Sequence, residues 1–313
     1  MKSYMKALAV LTGFALPLAA QEPQCQNANA QAQAACNTMV DATKAFHPLA
    51  GMLVSGGNPV LGTAGTLGGF GHISVAFRVN AIKASLPNPD SAAQNPVPSS
   101  FDGYLPAPVI EAAVGLYGGQ GGGLLSIDGL ASAVLLPASR VPGMSVDPDA
   151  PKVGEVALGL GYGARIGLLR GSFPIPAVSV SVMRRHVPRV QFGDVNAGDP
   201  ADFATDFDAT NWRVVAGMRV LFADVAAGVG IDHYTSAATI HYFDGLTTHT
   251  VALDLANTRE VLFANAGLTM GLVKFVAELG YQTGTDQSFA TTFADFDPKA
   301  GHVFWGAGLR INF

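Results

Sequence analysis

Charge is scarce in this chain. Asp, Glu, Lys and Arg together make up 13% of its 313 residues, and basic side chains form no run. With a formal net charge of −5, composition excludes a nucleic-acid partner. Cysteine is nearly absent: two thiols cannot form a closed zinc site, which takes about four ligands. Long apolar runs are missing too. After residue 20 nothing approaches the roughly 18 apolar residues of a helical membrane span. The nearest stretch, 214–231, is broken by Arg219 and Asp224. Neither a Gly-x-Ser-x-Gly nor a His-Glu-x-x-His segment occurs, and nothing in the chain calls for a cofactor.

What the chain does have is glycine, 37 residues of it, and a mean hydropathy of +0.31. Residues 1–20 place Lys2 and Lys6 before an apolar stretch and end on Ala19 and Ala20, the anatomy of a secretory signal peptide cut before Gln21. In an exported protein Cys25 and Cys36 are expected to pair. A straight helix would hold them roughly 16 Å apart, at 1.5 Å per residue, so the bridge requires the chain to bend back.

The apolar residues of the remainder recur with period two, the strand period. At the end of the chain Val303, Trp305, Ala307, Leu309, Ile311 and Phe313 face one way, and His302, Gly306, Gly308, Arg310 and Asn312 the other. Similar alternation marks 71–81, 109–116, 126–135, 154–169, 177–185, 211–222, 225–234, 259–270 and 273–283, although Leu130 and Val134 interrupt the polar face of the third. That makes about ten strands, within a range of eight to twelve, each near the 9–11 residues of a tilted membrane strand. The intervening connections alternate long and short: 84–106, 137–152, 188–209, 235–258 and 284–300 against 118–123, 169–173, 223–224 and 271–272. Membrane barrels sort their connections this way, with short periplasmic turns, long extracellular loops and both chain ends in the periplasm.

The expected fold is therefore all-β: a transmembrane antiparallel up-and-down β-barrel over 70–313. Before it come a signal peptide (1–20) and a short helical or coil segment (21–69) that forms a periplasmic cap or a lumen plug; the alternatives for that segment are a tail or extra strands. Trp212, Tyr281 and Trp305 fall near the extracellular end of the apolar face and Phe222, Phe275 and Phe313 near the periplasmic end, as two aromatic girdles.

The ending Gly-Leu-Arg-Ile-Asn-Phe (308–313) resembles the C-terminal strand of Gram-negative outer-membrane β-barrel proteins. The resemblance implies residence in the outer membrane, in contact with its lipid and lipopolysaccharide, and recognition of this strand by the barrel assembly machinery. The stretch Ala-Phe-His-Pro-Leu-Ala-Gly-Met-Leu (45–53) resembles the Asn-Pro-Ala-Gly-Met-type segment of long-chain fatty-acid channels, with His47 and an inserted Leu49 departing from that pattern.

The polar face carries the candidate functional residues. Arg78, Arg165, Arg185, Arg213, Arg219, Arg259, Lys274 and Arg310 are read as lining the lumen with Glu111, Asp128, Glu155, Asp232 and Glu278. In so narrow an interior these charges must pair or stay hydrated. The leading reading is a non-enzymatic barrel, a narrow or plugged conduit for a small anionic or hydrophobic solute. An interaction or structural barrel acting through acidic extracellular loops is the alternative, and an outer-membrane protease or lipid-modifying enzyme the third. Asp194, Asp199, Asp206 and Asp208 are candidate cation ligands, although no closing glutamate follows them. Asp232 and His233, adjacent on a strand, must point to opposite faces and cannot form a catalytic dyad.

Overall fold

A computed structural model of the chain describes residues 22–26, 29–88, 91, 94–120, 124–136, 144–197, 201–285 and 287–313. The expected signal peptide and Asp199 lie outside these residues. Ten long strands close into one antiparallel barrel: β1 (Ile73–Pro87), β2 (Ser99–Tyr117), β3 (Ser126–Leu136), β6 (Val156–Leu169), β7 (Ala177–Phe192), β8 (Ala201–Val220), β9 (Ala223–Phe243), β10 (Thr248–Met270), β11 (Val273–Gln282) and β12 (His302–Asn312). Two short strands, β4 (Met144–Val146) and β5 (Lys152–Val153), lie in the connection between β3 and β6. Neighbours in sequence are neighbours in the wall, and β12 pairs with β1 to close it, for example Phe77 opposite Leu309.

The strands have the order read from the alternation, but several are longer. The expected loop over 235–258 is a hairpin in which β9 and β10 continue to a turn at Asp244–Thr247. The expected loop over 188–209 is mostly the ends of β7 and β8. At 188–209 and 235–258 the long connections are thus strands that rise past the membrane, whereas 287–300 is irregular apart from a bridge at Phe293. At the other end the turns are tight: Leu221–Phe222 and Gly271–Leu272. By the rule for membrane barrels this turn end is periplasmic.

An outward belt of Leu262, Leu268, Met270, Phe275, Leu279, Trp305, Leu309 and their neighbours is exposed around the wall. It ends on the loop side where outward positions turn polar, at Arg184, His233 and Glu260. Trp212, Tyr281 and Trp305 sit just inside that boundary, and Phe222, Phe275 and Phe313 at or near the turn end. An exposed apolar belt of this extent fits lipid because water would be an unfavourable neighbour for it, and closure leaves no unpaired backbone edge within the hydrocarbon.

The interior is filled by the residues before β1. Helix α1 (Ala30–Ser55) starts where Asn29 accepts a hydrogen bond from Ala32 N–H at 2.9 Å. It ends at Gly56, whose φ of +59° suits only glycine with its extended ψ. At 1.5 Å per residue α1 is roughly 39 Å long, enough to traverse the wall. Its first turns, with the Cys25–Cys36 disulfide (Cα–Cα 5.7 Å), pack on Ile240, Tyr242, Val251, Leu253 and Leu255 at the loop end. The bend that the bridge needs is supplied by a turn of 3-10 helix at Pro23–Cys25 that lies back against α1. Residues 57–67 continue to the turn end, where Leu67 N–H donates to Asp128 at 3.2 Å, and Gly68–Gly71 lead into β1.

The inner segment therefore threads the whole barrel. The described N-terminal residues, from Glu22 on, lie at the loop end, opposite Phe313. Leu130 and Val134, which interrupted the polar face of β3, point inward and pack on this segment.

Candidate functional site

The alternation places the lumen charges as expected, with two exceptions. Arg78, Arg165, Arg185, Arg213, Arg259, Lys274, Arg310, Glu111, Asp128, Asp232 and Glu278 are all buried inside the barrel. Glu155 is not: it lies in the exposed turn between β5 and β6, because its strand begins one residue later, at Val156. Arg219 is the second correction. It sits at the turn-end rim of β8 with a side chain 67% exposed, paired with Asp224 at 3.2 Å.

Buried cations must find acceptors, and here the backbone of the inner segment supplies them for Arg78, Arg213, Arg310 and Lys274. Arg78 donates to Ser55 O at 2.9 Å and Asn58 O at 3.0 Å. Arg213 donates to Gly57 O at 2.8 Å and Gly56 O at 2.9 Å. Arg310 reaches Leu61 O at 3.1 Å, and Lys274 reaches Gly62 O at 3.3 Å. Asn80 donates to Leu53 O at 2.7 Å. These carbonyls belong to the last turn of α1 and the residues just after it, where a helix has unpaired acceptors and the negative end of its dipole. Glu278 receives the matching donors, Gly57 N–H at 2.9 Å and Asn58 N–H at 2.7 Å. Arg78, Arg213, Arg310 and Lys274 thus form a socket for the helix C-terminus and the residues that follow it.

The remaining charges brace the socket from the wall. Asp232 is held by Arg213, by Asn211 at 2.7 Å and by the Tyr234 hydroxyl at 2.7 Å, and Gln282 donates to that hydroxyl at 2.9 Å. Arg78 lies 3.2 Å from Glu111 and 3.6 Å from Glu278; Arg185 lies 3.8 Å from Glu111 and also donates to Asn211. Asp128 pairs with Arg165 at 2.7 Å. Glycine makes the close approach feasible: a Cβ on Gly56 would stand 2.1 Å from Arg78 Nη2.

Above the belt, Asp41 of α1 accepts from Ala290 N–H at 2.8 Å and Thr291 N–H at 2.7 Å, tying the β11–β12 connection across the mouth. Burial raises its carboxyl to about 6, against the Thr291 donor and the Lys44 ammonium, which lower it. That connection also pairs with the β1–β2 connection, Val97 opposite Phe293. At the turn end a cavity of about 660 Å³ lies between Thr63–Thr66 of the inner segment and the wall, with Arg170, Arg219, Phe173 and Leu221 among its lining.

Of the candidate cation ligands, the three described ones have different partners. Asp206 accepts from Ala237 N–H, Asp208 faces His186, and Asp194 accepts from Asn196 N–H. Among the described residues no three His, Cys, Asp or Glu side chains gather as a metal site. Asp232 points inward, while the His233 ring lies outside, 3.0 Å from Thr258 Oγ1.

Sequence reading missed Asn80, Asn211, Tyr234 and Gln282 as interior partners, because uncharged polar side chains are unremarkable on an alternating strand. It also missed the backbone of 53–62 as the acceptor of Arg78, Asn80, Arg213, Lys274 and Arg310. The Gly56-Gly57-Asn58-Pro59 run was the available signal, since glycine and proline mark a helix end.

No family model matches the chain, and no curated protein is similar to it in sequence. Among solved structures it is similar to the outer membrane protease OmpT from Escherichia coli (11% identity, 78% of this chain and 97% of that one, TM-score 0.43). It is likewise similar to the translocator domain of the autotransporter NalP from Neisseria meningitidis (11% identity, 87% and 98%, TM-score 0.46). A third is Ail, the attachment invasion locus protein of Yersinia pestis (9% identity, 78% and 99%, TM-score 0.31). Likenesses this distant assign no activity, and barrels of one architecture host unrelated functions. On its own geometry, the closed ten-stranded wall with an apolar outer belt and inward charges, the chain is a transmembrane β-barrel protein.

Proposed function

We propose that this protein is a sealed, non-enzymatic outer-membrane barrel that works at its extracellular end as an interaction protein. One observation carries the reading: the inner segment fills the lumen from mouth to mouth and is held by the charges that would otherwise line a pore. Extraction of that segment would remove backbone acceptors from four buried cations, Arg78, Arg213, Lys274 and Arg310, and two backbone donors from the buried Glu278. The loop end, by contrast, is elaborated. β7–β10 rise beyond the belt, and the disulfide-braced start of α1 backs them.

A second reading, a conduit for a small anionic or hydrophobic solute opened by displacement of the inner segment, is supported by the turn-end cavity against Thr63–Thr66. Planar-bilayer recording of the refolded full-length protein separates the two. The sealed barrel gives no steady conductance. Stable, anion-selective current from the intact chain would overturn it in favour of the conduit.

A further inference from the structure

β10 outruns its neighbour. Its register with β9 is continuous from Thr248 to Leu268, with no bulge. Its register with β11 begins only at Val261, opposite Gln282, and one further bond joins Thr283 N–H to Glu260 O. From Thr248 to Arg259 the side of β10 away from β9 has no backbone hydrogen-bond partner among the described residues. The opposite border of the raised sheet is treated differently. There β4 pairs with Val190–Phe192 of β7, and Asp147 N–H bonds Arg189 O at 2.9 Å. Among the described residues one border is covered and the other is open.

Natural sheets blunt a free edge with proline, lysine, a bulge, a short strand or a covering loop. Thr248–Thr258 (Thr-His-Thr-Val-Ala-Leu-Asp-Leu-Ala-Asn-Thr) contains no proline, lysine or glycine. Its inward side chains Val251, Leu253 and Leu255 are buried on the disulfide-braced start of α1, so the edge is stiffened from behind. Its outward side chains are small or polar: Thr250, Ala252, Asp254, Ala256 and Thr258 are exposed, followed by Glu260. Neither Asp254 nor Glu260 has an ion-pair partner among the described residues, and no basic side chain lies on this face of β10.

We propose that the open edge of β10, Thr248 to Arg259, is a strand-addition site for an extended polypeptide segment bearing a basic side chain opposite Asp254. This deepens the interaction reading and rests on it. Main-chain hydrogen bonds to the edge would supply affinity, and the unpaired Asp254 and Glu260 the selection for a cationic strand. Tight cross-strand spacing makes the charge directly opposite Asp254 the discriminating one.

The test uses the full-length protein in detergent micelles and a fluorescent peptide of about eleven residues, matching the edge at ~3.4 Å per residue. The peptide alternates threonine and valine with one central lysine. Binding is read by anisotropy, for wild type and for the exposed-site variant Asp254→Lys. The expected result is saturable binding that D254K weakens roughly tenfold, and that a glutamate-for-lysine peptide restores on D254K. Methylation of alternate peptide amides along one edge should abolish it. Binding indifferent to amide methylation would show a side-chain contact only and overturn strand addition. Absence of binding to the wild type would overturn it as well. Disulfide-linked dimers of Thr250→Cys at membrane density would give the edge to a second copy and equally overturn the peptide site. These outcomes read the edge, whereas conductance reads the lumen, so either proposal can fail without the other.

Discussion

Arg213 and Asp232 are the residues on which the interior turns. Both are buried, they bond to each other through paired donors and acceptors, and Arg213 also holds the carbonyls of Gly56 and Gly57. Removal of one partner leaves a buried charge, at a cost of about 3–5 kcal/mol, whereas apolar replacement of both is much milder. Arg213→Ala should therefore lower the urea midpoint of the refolded barrel markedly, and the double change Arg213→Met with Asp232→Leu should recover most of the loss. Gly56→Ala tests the socket from the other side. Its φ of +59° and the 2.1 Å approach of Arg78 leave no room for a Cβ, so a backbone cost of roughly 1–3 kcal/mol adds to displacement of the guanidinium. Faster hydrogen exchange at Gly57 and Asn58, with exchange in the β-wall unchanged, is the expected signature. Asp41 acts above the membrane. Because burial raises its pKa to about 6 in the folded state, from an ordinary value near 4, its contribution to docking is full below about pH 4 and is lost as pH rises through about 6. Exchange at the Ala290 and Thr291 amides should accelerate across that window, and Asp41→Asn, which keeps an acceptor, should flatten the profile.

At the scale of elements, the wall was legible face by face, and the inner segment only as a helical or coil stretch in or at the mouth of the lumen. Period-two alternation is imposed by lipid outside and charge inside, so residues such as Phe275, Leu279 and Arg310 declared their faces directly. Where β9 and β10 leave the membrane that contrast ends. Both sides of the strands become mixed in polarity, and 235–258 read as loop although it is a continuous hairpin. Glu155 was misplaced for a related reason: alternation carries no mark of where a strand starts. Helix α1 hides in a different way. It is buried on nearly every side by the barrel, so it shows no clean apolar stripe. Its disulfide closes a short loop and, on chain-entropy grounds, contributes about 3 kcal/mol, confined to the start of the helix. Reduction should speed hydrogen exchange across Ala30–Val40 while the heat-modifiable gel shift of the folded barrel persists.

For the whole molecule, threading sets the consequences. A chain whose described N-terminal residues lie at the loop mouth and whose β1 starts at the turn end must pass through its own barrel, so the filled lumen and the braced loop end share one path of the chain. The most direct measurement is the accessibility of an epitope fused ahead of Glu22 and expressed at native levels. On intact cells the epitope should bind antibody, with no gain after the outer membrane is permeabilised. Labelling that appears only after permeabilisation would place the start of α1 on the periplasmic side and contradict the threaded barrel.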